Sequence, residues 1–313
     1  MSKTLTSPAL SFPLSFPLSF PISSLLADYV LGPCIKHAHT AILFTWTDYK
    51  TIFFPITIFA SATAPVYSPL HLLQGCIWVW WHLLLCNVSN QAGSKEEDAI
   101  NRPWRPLPSG RVTVEQAAIL RKVVVMLCIT GSAFYGSDIV LITLGLAATT
   151  FFYDEMGLAA HPIGKNFCNI WGYTMFQAAA TKLMSREHVL DSTSLSAVVL
   201  SGLTIFTTIQ AQDFPDVEGD AAIGRVTFPI YAPELSRWFT LFAIPAWSVF
   251  LSWFWAIGMM SSAAVLLLGV FVGLRYFYLR SPPADKKTYR IFNVWLILMF
   301  LLPSHTRTGI LHL

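Results

Sequence analysis

The chain has 313 residues, of which 54% are hydrophobic and 12% are charged, and its mean hydropathy is +0.56. A soluble domain carries about 25% charged residues, so this composition excludes a water-soluble globule and indicates a membrane protein. The formal net charge of +3 and the lack of a lysine or arginine stripe argue against nucleic acid as a partner.

The N-terminal segment, residues 1–40, contains a short proline repeat. The sequence Leu-Ser-Phe-Pro occurs three times between residues 10 and 21, which places Pro13, Pro17 and Pro21 four residues apart. Proline at this frequency blocks a helix, so the repeat is neither a membrane span nor a signal-peptide core. We expect residues 1–40 to form a low-complexity tail without a role in the chemistry.

Nine apolar runs separated by loop signals follow this tail. A helix that crosses the hydrocarbon needs roughly 20 mostly apolar residues, and the first run is the least regular because Asp48 and Lys50 interrupt it. We predict an all-α, polytopic membrane protein with one intramembrane catalytic domain at 41–306 and a short tail at 307–313. The nine predicted transmembrane helices are 41–66, 69–90, 114–134, 136–154, 166–185, 195–212, 236–257, 260–279 and 288–306.

Basic residues are distributed unequally between the two predicted sides of the membrane. Twelve lie on the side that holds the 91–113 loop, and three lie on the other side. Cytosolic loops are enriched in lysine and arginine, so we expect the first side to face the cytosol. The twelve are Lys95, Arg102, Arg105, Arg111, Lys165, Arg225, Arg237, Arg275, Arg280, Lys286, Lys287 and Arg290, and the three are Lys182, Arg186 and Arg307.

Two acidic clusters close the second and the sixth predicted spans. In the first, Asn90, Ser94 and Asp98 are four residues apart, and in the second Asp216 and Asp220 have the same spacing. Side chains four residues apart share one face of a helix, so each set is expected to project from one face of a continuing helix. Four spans lie between the two clusters, and this even number places both on the same side of the membrane.

The facing clusters suit a hard divalent cation. Magnesium takes one or two protein carboxylates together with phosphate oxygens of a substrate, and ionisable groups at membrane depth indicate function. A solvated helix end is the simpler interpretation of one cluster, but two clusters on the same side favour a site. Basic residues predicted near that side would bind a diphosphate. They are Lys50, Arg102, Arg105 and Lys165.

At these residues the chain resembles the UbiA superfamily of intramembrane prenyltransferases. The family carries an N-x-x-x-D-x-x-x-D motif after its second helix and a D-x-x-x-D motif after its sixth, similar to residues 90–98 and 216–220 here. Residues 101–110 and the group Gly224, Thr227 and Pro229 are similar to the stretches that follow the two motifs. The resemblance covers about 45–300 and implies nine transmembrane helices around a central cavity.

The first motif departs from the family pattern at two positions. Members that prenylate quinone or haem precursors open this motif with Asn-Asp and have an aspartate in its middle, where this chain has Gln91 and Ser94. Two carboxylates are therefore missing, and Glu97 beside Asp98 is a candidate replacement. The altered motif is similar to a fungal branch of the family that includes UbiA-type terpene cyclases.

The resemblance implies a membrane-bound class I terpene cyclase. Such an enzyme ionises a prenyl diphosphate with the help of Mg²⁺, and farnesyl diphosphate would give a sesquiterpene hydrocarbon in fungal secondary metabolism. Lys50, Arg105 and Lys165 would bind the diphosphate and the charge that develops on it. The expected catalytic residues are Asp98, Asp216 and Asp220, and the expected metal ligands are Asn90, Asp98, Asp213, Asp216 and Asp220.

Aromatic side chains in the predicted spans are candidates to stabilise the carbocation, by roughly 0.5–2 kcal/mol each. Ordinary packing in the core or against lipid is the competing interpretation of every one of them. The candidates are Trp78, Trp81, Phe152, Tyr153, Trp171, Tyr173 and Phe176.

Two other functions compete with the cyclase. A prenyltransferase to an aromatic or polyketide acceptor uses the same ionisation and needs a polar acceptor pocket as well. A transporter is disfavoured because transporter ion sites lie near the membrane midplane. In either enzymatic case we expect the partners to be the prenyl diphosphate and the lipid bilayer, and the location to be the endoplasmic reticulum with the mouth of the site facing the cytosol. Candidates for the acceptor pocket are Asp154, Glu155, Asn166 and Asn169.

Overall fold

The computed structural model describes residues 32–222 and 224–312, without the side chains of Glu97, Ile100 and Asn101. The proline repeat of the predicted tail lies outside these residues. By contact density the chain divides into two units, Met1–Ile42 and Leu43–Leu313. Of the first unit only residues 32–42 are described, and they are helical.

Helices account for the regular structure of the described residues, which include no β-strand and one isolated bridge between Val66 and Ser185. The predicted all-α class is therefore confirmed. The helices are α1 Gly32–Thr45, α2 Phe54–Thr63, α3 Pro69–Gly93, α4 Lys95–Asn101, α5 Val114–Ala133, α6 Ser137–Thr150, α7 Pro162–Met184, α8 Ser192–Thr208, α9 Val217–Ala222, α10 Phe228–Tyr231, α11 Pro233–Phe254, α12 Met259–Tyr278, α13 Pro282–Leu301 and α14 Ser304–Thr308.

Five helical segments of the described chain are long and apolar enough to cross a membrane, judged by length and composition. They coincide with the second, third, fourth, sixth and eighth predicted spans. Apolar side chains such as Leu141, Phe242 and Leu267 are exposed on these and neighbouring helices, as expected of surfaces that face lipid. The total of nine spans stays a prediction. The five segments are Pro69–Gly93, Val114–Ala133, Ser137–Glu155, Ser192–Ala222 and Met259–Tyr278.

The first predicted span is broken at its polar residues. Trp46–Asp48 form a 3₁₀ turn and Tyr49–Phe53 form a π-helical turn between α1 and α2. A break of this kind frees backbone carbonyls that need a donor. The Gln91 side chain supplies one, because its Nε2 donates to the carbonyl oxygen of Phe44 at 2.8 Å.

The chain after α8 leaves the α-helical conformation as well. The second motif follows α8 as two 3₁₀ turns, Ile209–Gln212 and Phe214–Asp216. Pro215 has no N–H to continue a helix, and the Thr208 hydroxyl donates to the Thr204 carbonyl at 2.7 Å, which weakens the last turn of α8.

The expectation of one continuing helix through each motif is therefore wrong. In the first motif α3 ends at Gly93 and α4 begins at Lys95, so Ser94 is a junction between two helices. In the second motif Asp216 closes a 3₁₀ turn and Asp220 belongs to α9. Ser94 and Pro215 interrupt the helices at the two motifs. The four-residue spacing therefore does not correspond to one continuous helical face.

Two apolar cores hold the helices together. The larger one lies among α8, α11, α12 and α13 and includes the fully buried Tyr276 and Trp295. The smaller one lies among α2, α3, α6 and α7 around Ile56 and Leu183. A Cβ atom on Gly273 would lie 2.9 Å from the carbonyl oxygen of Leu241, so glycine at this position permits the close approach of α11 and α12.

Candidate active site

Asp213 lies buried between the two 3₁₀ turns that follow α8, with 2% of its surface exposed. Its Oδ1 accepts a hydrogen bond at 2.6 Å from Nζ of Lys165, which belongs to the first turn of α7 and is itself buried. A predicted metal ligand thus pairs with a predicted diphosphate ligand. A buried charge is tolerated only with such a partner.

Asp98 is paired in the same way at the other motif. The Arg105 Nη1 donates to both carboxylate oxygens of Asp98, at 2.8 and 2.7 Å, and its Nη2 donates to the Thr47 hydroxyl at 3.1 Å. Arg102 approaches the same carboxylate at 3.6 Å. The Nε of Arg105 is buried and has no acceptor in the part of the chain that the structure describes, so this guanidinium retains an unused donor.

Asp216 and Asp220, the two other acids near this site, have carboxylate oxygens without a hydrogen-bond partner in the described chain. The Oδ1 of Asp220 accepts a hydrogen bond from Nη1 of Arg225 at 3.0 Å, while its Oδ2 is buried without a partner in the described chain. Asp216 is exposed. Both residues offer carboxylate oxygens for a cation.

Charges near the two motifs influence each other. Asp216 of the second motif interacts electrostatically with Lys165 on α7, with Arg102, which also approaches Asp98, and with Lys286 on α13. The direct facing of the two acidic clusters stays a prediction. The side of the membrane on which the site opens stays a prediction.

Asn90, the first residue of the first motif, contacts an acid from another helix. Its Nδ2 donates to Oδ1 of Asp154 at 2.9 Å. Asp154 belongs to the π-helical turn Phe151–Glu155 that extends α6. The amide oxygen of Asn90 is therefore the atom of this side chain that remains for a cation.

The two departures from the family motif have different local roles. Gln91 is buried against the break between α1 and α2, where its amide supports the backbone. The Ser94 hydroxyl donates to the Asn90 carbonyl at 2.9 Å and lies 3.4 Å from Oδ2 of Asp98. The side chain of Glu97, the proposed replacement, lies outside the described residues.

Lys50, a predicted diphosphate ligand, lies outside the ion pairs of the site. It lies in the π-helical turn between α1 and α2, and its side chain is exposed. Within the described chain it belongs to none of the ion pairs that surround Asp98 and Asp213. Its predicted role stays a prediction.

A small pocket of about 10 Å³ begins at Gln212, the residue before Asp213. Tyr173 from α7 and Tyr289 from α13 line it, so the pocket lies between these helices and next to the second motif. Its lining residues are Tyr173, Ile205, Thr208, Ile209, Gln212, Tyr289, Phe292, Asn293 and Leu296.

Of the predicted aromatic candidates, Tyr173 lines this pocket. Trp78 and Phe176 instead pack in the smaller core, with ring centroids 6.0 Å apart, and Trp78 stacks on His82 at 3.6 Å. Phe152 and Trp171 are exposed. Ordinary packing is therefore the better interpretation of Trp78 and Phe176.

Asp48 and Tyr289 are two further residues near the acids of the site that the motifs did not predict. Tyr289 interacts electrostatically with Asp213, Asp216 and Asp48. The signal for Asp48 was its position inside an apolar run, and the signal for Tyr289 was its four-residue spacing from Asn293, which places both on one face of α13.

Among the described residues, no group of three or more His, Cys, Asp and Glu side chains is close enough together to hold a metal ion. The geometry consists instead of carboxylates paired with basic residues. The metal assignments to Asn90, Asp98, Asp213, Asp216 and Asp220 stay predictions.

The UbiA prenyltransferase family model matches residues 52–297, a range that contains both motifs. The chain belongs to the UbiA family. This membership confirms the predicted family and the predicted class of enzyme, one that ionises a prenyl diphosphate.

Similar UbiA-family proteins of fungi include cyclases and a transferase. Fumagillin β-trans-bergamotene synthase of Aspergillus fumigatus is 31% identical and covers 87% of this chain and 94% of its own length. A diterpene cyclase of Hericium erinaceus is 30% identical, with 84% and 87% covered. A polyprenyl transferase of the same organism is 30% identical, with 86% and 94% covered. The predicted likeness to the fungal cyclase branch is confirmed.

Solved structures show the same UbiA fold. A digeranylgeranylglyceryl phosphate synthase superposes with a TM-score of 0.65 at 20% identity and covers 86% of this chain and 99% of its own. A UbiA homologue from Archaeoglobus fulgidus, bound to GPP and Mg²⁺, superposes with a TM-score of 0.59 at 15% identity and covers 85% and 99%. The predicted UbiA-like helical fold is confirmed.

Proposed function

We propose that this chain is a membrane-bound, Mg²⁺-dependent class I terpene cyclase that converts farnesyl diphosphate into a sesquiterpene hydrocarbon. Family membership and the likeness to two fungal cyclases support this function. The observation that carries it is the buried pair of Asp213 and Lys165 next to a small pocket lined by tyrosine, aliphatic and amide side chains. We expect the ion pairs of the site to bind the diphosphate and the helices around the pocket to receive the hydrocarbon chain.

The acids of the second motif fit a magnesium ion. The buried Oδ2 of Asp220 has no partner within the described chain, and the Asp216 carboxylate is exposed beside it. Carboxylate oxygens combined with phosphate oxygens are the ligands that Mg²⁺ prefers. Asp213, Asp216 and Asp220 would hold the ion, with Asp98 and the amide oxygen of Asn90 completing the set. When bound, the ion neutralises the diphosphate and makes it a better leaving group. The Archaeoglobus fulgidus homologue was solved with GPP and Mg²⁺.

Four basic residues would bind the diphosphate. Lys165 and Arg105 are held in place by Asp213 and Asp98, and Arg102 approaches the Asp98 carboxylate at 3.6 Å. Preorganised cations aimed at the leaving group stabilise the charge that develops on it as the bond to carbon breaks. Lys50 from the exposed turn would join them when the substrate binds.

The helices that line this pocket would enclose the allylic cation and exclude water from it. The rings of Tyr173, Tyr289 and Phe292 line this space. Aromatic faces attract a cation by roughly 0.5–2 kcal/mol each, so these rings would favour folding of the chain over the charged carbon. Loss of a proton from the cyclised cation then gives a hydrocarbon.

The proposed setting is a lipid bilayer crossed nine times. Five segments have the length and hydropathy of a span, and four further helices at the predicted positions, α2 among them, would complete the set. The excess of basic residues beside the site supports a mouth that faces the cytosol. The endoplasmic reticulum is the proposed membrane.

An acceptor-free assay tests the function. Membranes that contain the chain, given farnesyl diphosphate and Mg²⁺ without an acceptor, should release a volatile sesquiterpene hydrocarbon. Chelation of the metal should stop its formation. No hydrocarbon under these conditions, together with a prenylated product after addition of an aromatic acid, would contradict cyclisation.

Prenyl transfer to an aromatic or polyketide acceptor is the second candidate, favoured by the likeness to a fungal polyprenyl transferase. The polar residues considered for an acceptor pocket are partly engaged elsewhere. Asp154 accepts a hydrogen bond from Asn90, and Glu155 pairs with Arg121. These contacts support the cyclase over the transferase.

A further inference from the structure

A buried polar network joins α11, α12 and α13 next to the second motif. Arg237 on α11 donates to both carboxylate oxygens of Asp285 on α13, through Nη1 and Nη2 at 2.7 Å each. The same Nη1 donates to the backbone carbonyl of Tyr276 on α12 at 2.7 Å. Asp285 is 1% exposed and Arg237 is 9% exposed, so both charges are buried.

This network touches the motif at two points. The Arg237 guanidinium lies over the Phe214 ring, 3.9 Å from its centroid. The Tyr276 hydroxyl donates to the Ala211 carbonyl at 2.9 Å, and its ring packs on Phe214 with centroids 5.1 Å apart. Ala211 precedes Asp213 by two residues and Phe214 follows it directly. The chain on both sides of the predicted metal ligand is therefore fixed by contacts with Tyr276 and Arg237.

The segment needs such support because of its own conformation. Residues 209–216 form two short 3₁₀ turns, which have poorer hydrogen bonds than an α-helix and rarely extend beyond three or four residues. The direction of the Asp213 and Asp216 side chains therefore depends on contacts from other helices.

We propose that Arg237, fixed by Asp285, and Tyr276 are positioning residues that set the geometry of Asp213 and Asp216 and thereby the affinity of the site for a divalent cation with diphosphate. The inference deepens the proposed function and rests on it, because it takes the second motif to be the metal site. Groups that orient metal ligands from behind change metal affinity by about 10–100-fold when they are removed.

Two variants separate positioning from folding. Tyr276→Phe keeps the ring and removes the hydrogen bond to Ala211. The double variant Arg237→Met with Asp285→Leu removes both buried charges together, which is often neutral for stability, and it also removes the cation over Phe214. Loss of one charge alone would leave the other buried and unpaired, so single charge variants are avoided.

The chain offers a matched control at the opposite end of α8. Arg307 donates to both oxygens of Asp191, at 2.7 and 2.8 Å, and joins the Thr63 carbonyl of α2 at 2.9 Å. This pair also ties several helices together but touches neither motif. Asp191→Asn should lower thermal stability and leave cation binding unchanged.

Binding of Mn²⁺ in the presence of inorganic pyrophosphate, followed by electron paramagnetic resonance on the purified chain, reads out the site without turnover. We expect the double variant to weaken Mn²⁺ binding by about tenfold or more, and Tyr276→Phe to weaken it in the same direction by less. In turnover, the half-saturating Mg²⁺ concentration should rise in parallel.

Variants that bind Mn²⁺ as the wild type does would overturn the proposal, and so would an equal loss of binding in Asp191→Asn. A wild-type chain that binds no Mn²⁺ with pyrophosphate would overturn both this proposal and the metal site beneath it. A wild-type chain that binds Mn²⁺ but forms no hydrocarbon would refute the cyclase alone, and the comparison of variants would still decide the positioning role.

Discussion

At the scale of single residues, the acids and bases of the site neutralise each other. Asp98 pairs with Arg105 and Asp213 pairs with Lys165, all four buried. The pairing reconciles a dense group of charges with the low dielectric of a membrane domain. When a cation and a diphosphate bind together, the cation can pair with the aspartates and the diphosphate can pair with the basic residues. Neither set of charges is then left uncompensated.

The two motif aspartates should respond differently to neutralisation. Asp216 is exposed and Asp98 is buried against Arg105. Asp216→Asn should abolish turnover without lowering the unfolding temperature, whereas Asp98→Asn should abolish turnover and also lower it, because Arg105 loses its counter-charge. Turnover and thermal unfolding in detergent measure both effects. Full activity of Asp216→Asn would contradict its role as a metal ligand.

Lys165 gives a second test at this scale. Lys165→Met leaves the buried Asp213 carboxylate unpaired, and removal of one partner of such a pair costs about 3–5 kcal/mol. The double variant Lys165→Met with Asp213→Leu should recover most of this stability but no activity. Chemical denaturation in mixed micelles compares the two. An unchanged stability of the single variant would contradict the buried pair.

At the scale of elements, the helices were predictable and their breaks were not. Apolar runs located α3, α5, α8 and α12 to within a few residues because length and hydropathy determine a span. Pro215 contributes locally to the break at 209–216, but the departures from α-helix there and at Trp46–Phe53 are also stabilised by side chains of other helices, such as Gln91 and Tyr276. The hydropathy pattern of one segment does not indicate which side chains of other helices will contact it.

The same reasoning explains how the site was predicted. The motif spacing identified Asp98, Asp216 and Asp220, and the resemblance added Asp213, but the acids and the bases were predicted in separate roles. The pairing of Asp213 with Lys165 depends on the approach of α7 to the end of α8. Such contacts between distant segments are visible only in the fold.

Gln91 tests the broken first span. Its amide satisfies the Phe44 carbonyl, and an unsatisfied buried polar group costs about 1–3 kcal/mol. Gln91→Leu should therefore lower the free energy of unfolding by about that amount and leave the half-saturating Mg²⁺ concentration unchanged. The opposite pattern, a raised Mg²⁺ requirement with unchanged stability, would assign Gln91 to the metal site instead.

At the scale of the whole molecule, residues at both ends of α8 join segments that are far apart in sequence. Arg307 of α14 joins Asp191, the residue before α8, to the end of α2. Arg307 lies in the predicted C-terminal tail, and it donates five hydrogen bonds to Thr63, Asp191 and Ser194. The ion pair thus stabilises the fold at a distance from the chemistry.

The pH dependence of stability should report this pair. The Arg307 guanidinium holds the pKa of Asp191 below its usual value. A depressed pKa stabilises the folded state above the usual aspartate pKa of about 3.9, and the contribution is lost as the pH falls through the lower value. The difference in unfolding temperature between wild type and Asp191→Asn should be constant near neutral pH and shrink below about pH 4. A difference that grows on acidification would contradict the ion pair.

We propose that the chain ionises a prenyl diphosphate and cyclises the product without an acceptor. The most direct measurement is the stoichiometry of products from purified chain in liposomes, given farnesyl diphosphate and Mg²⁺ alone. We expect sesquiterpene hydrocarbon and pyrophosphate to appear in equal amounts, and Asp216→Asn to form neither. Release of pyrophosphate with only farnesol as the organic product, or formation of product solely when an aromatic acceptor is present, would contradict it.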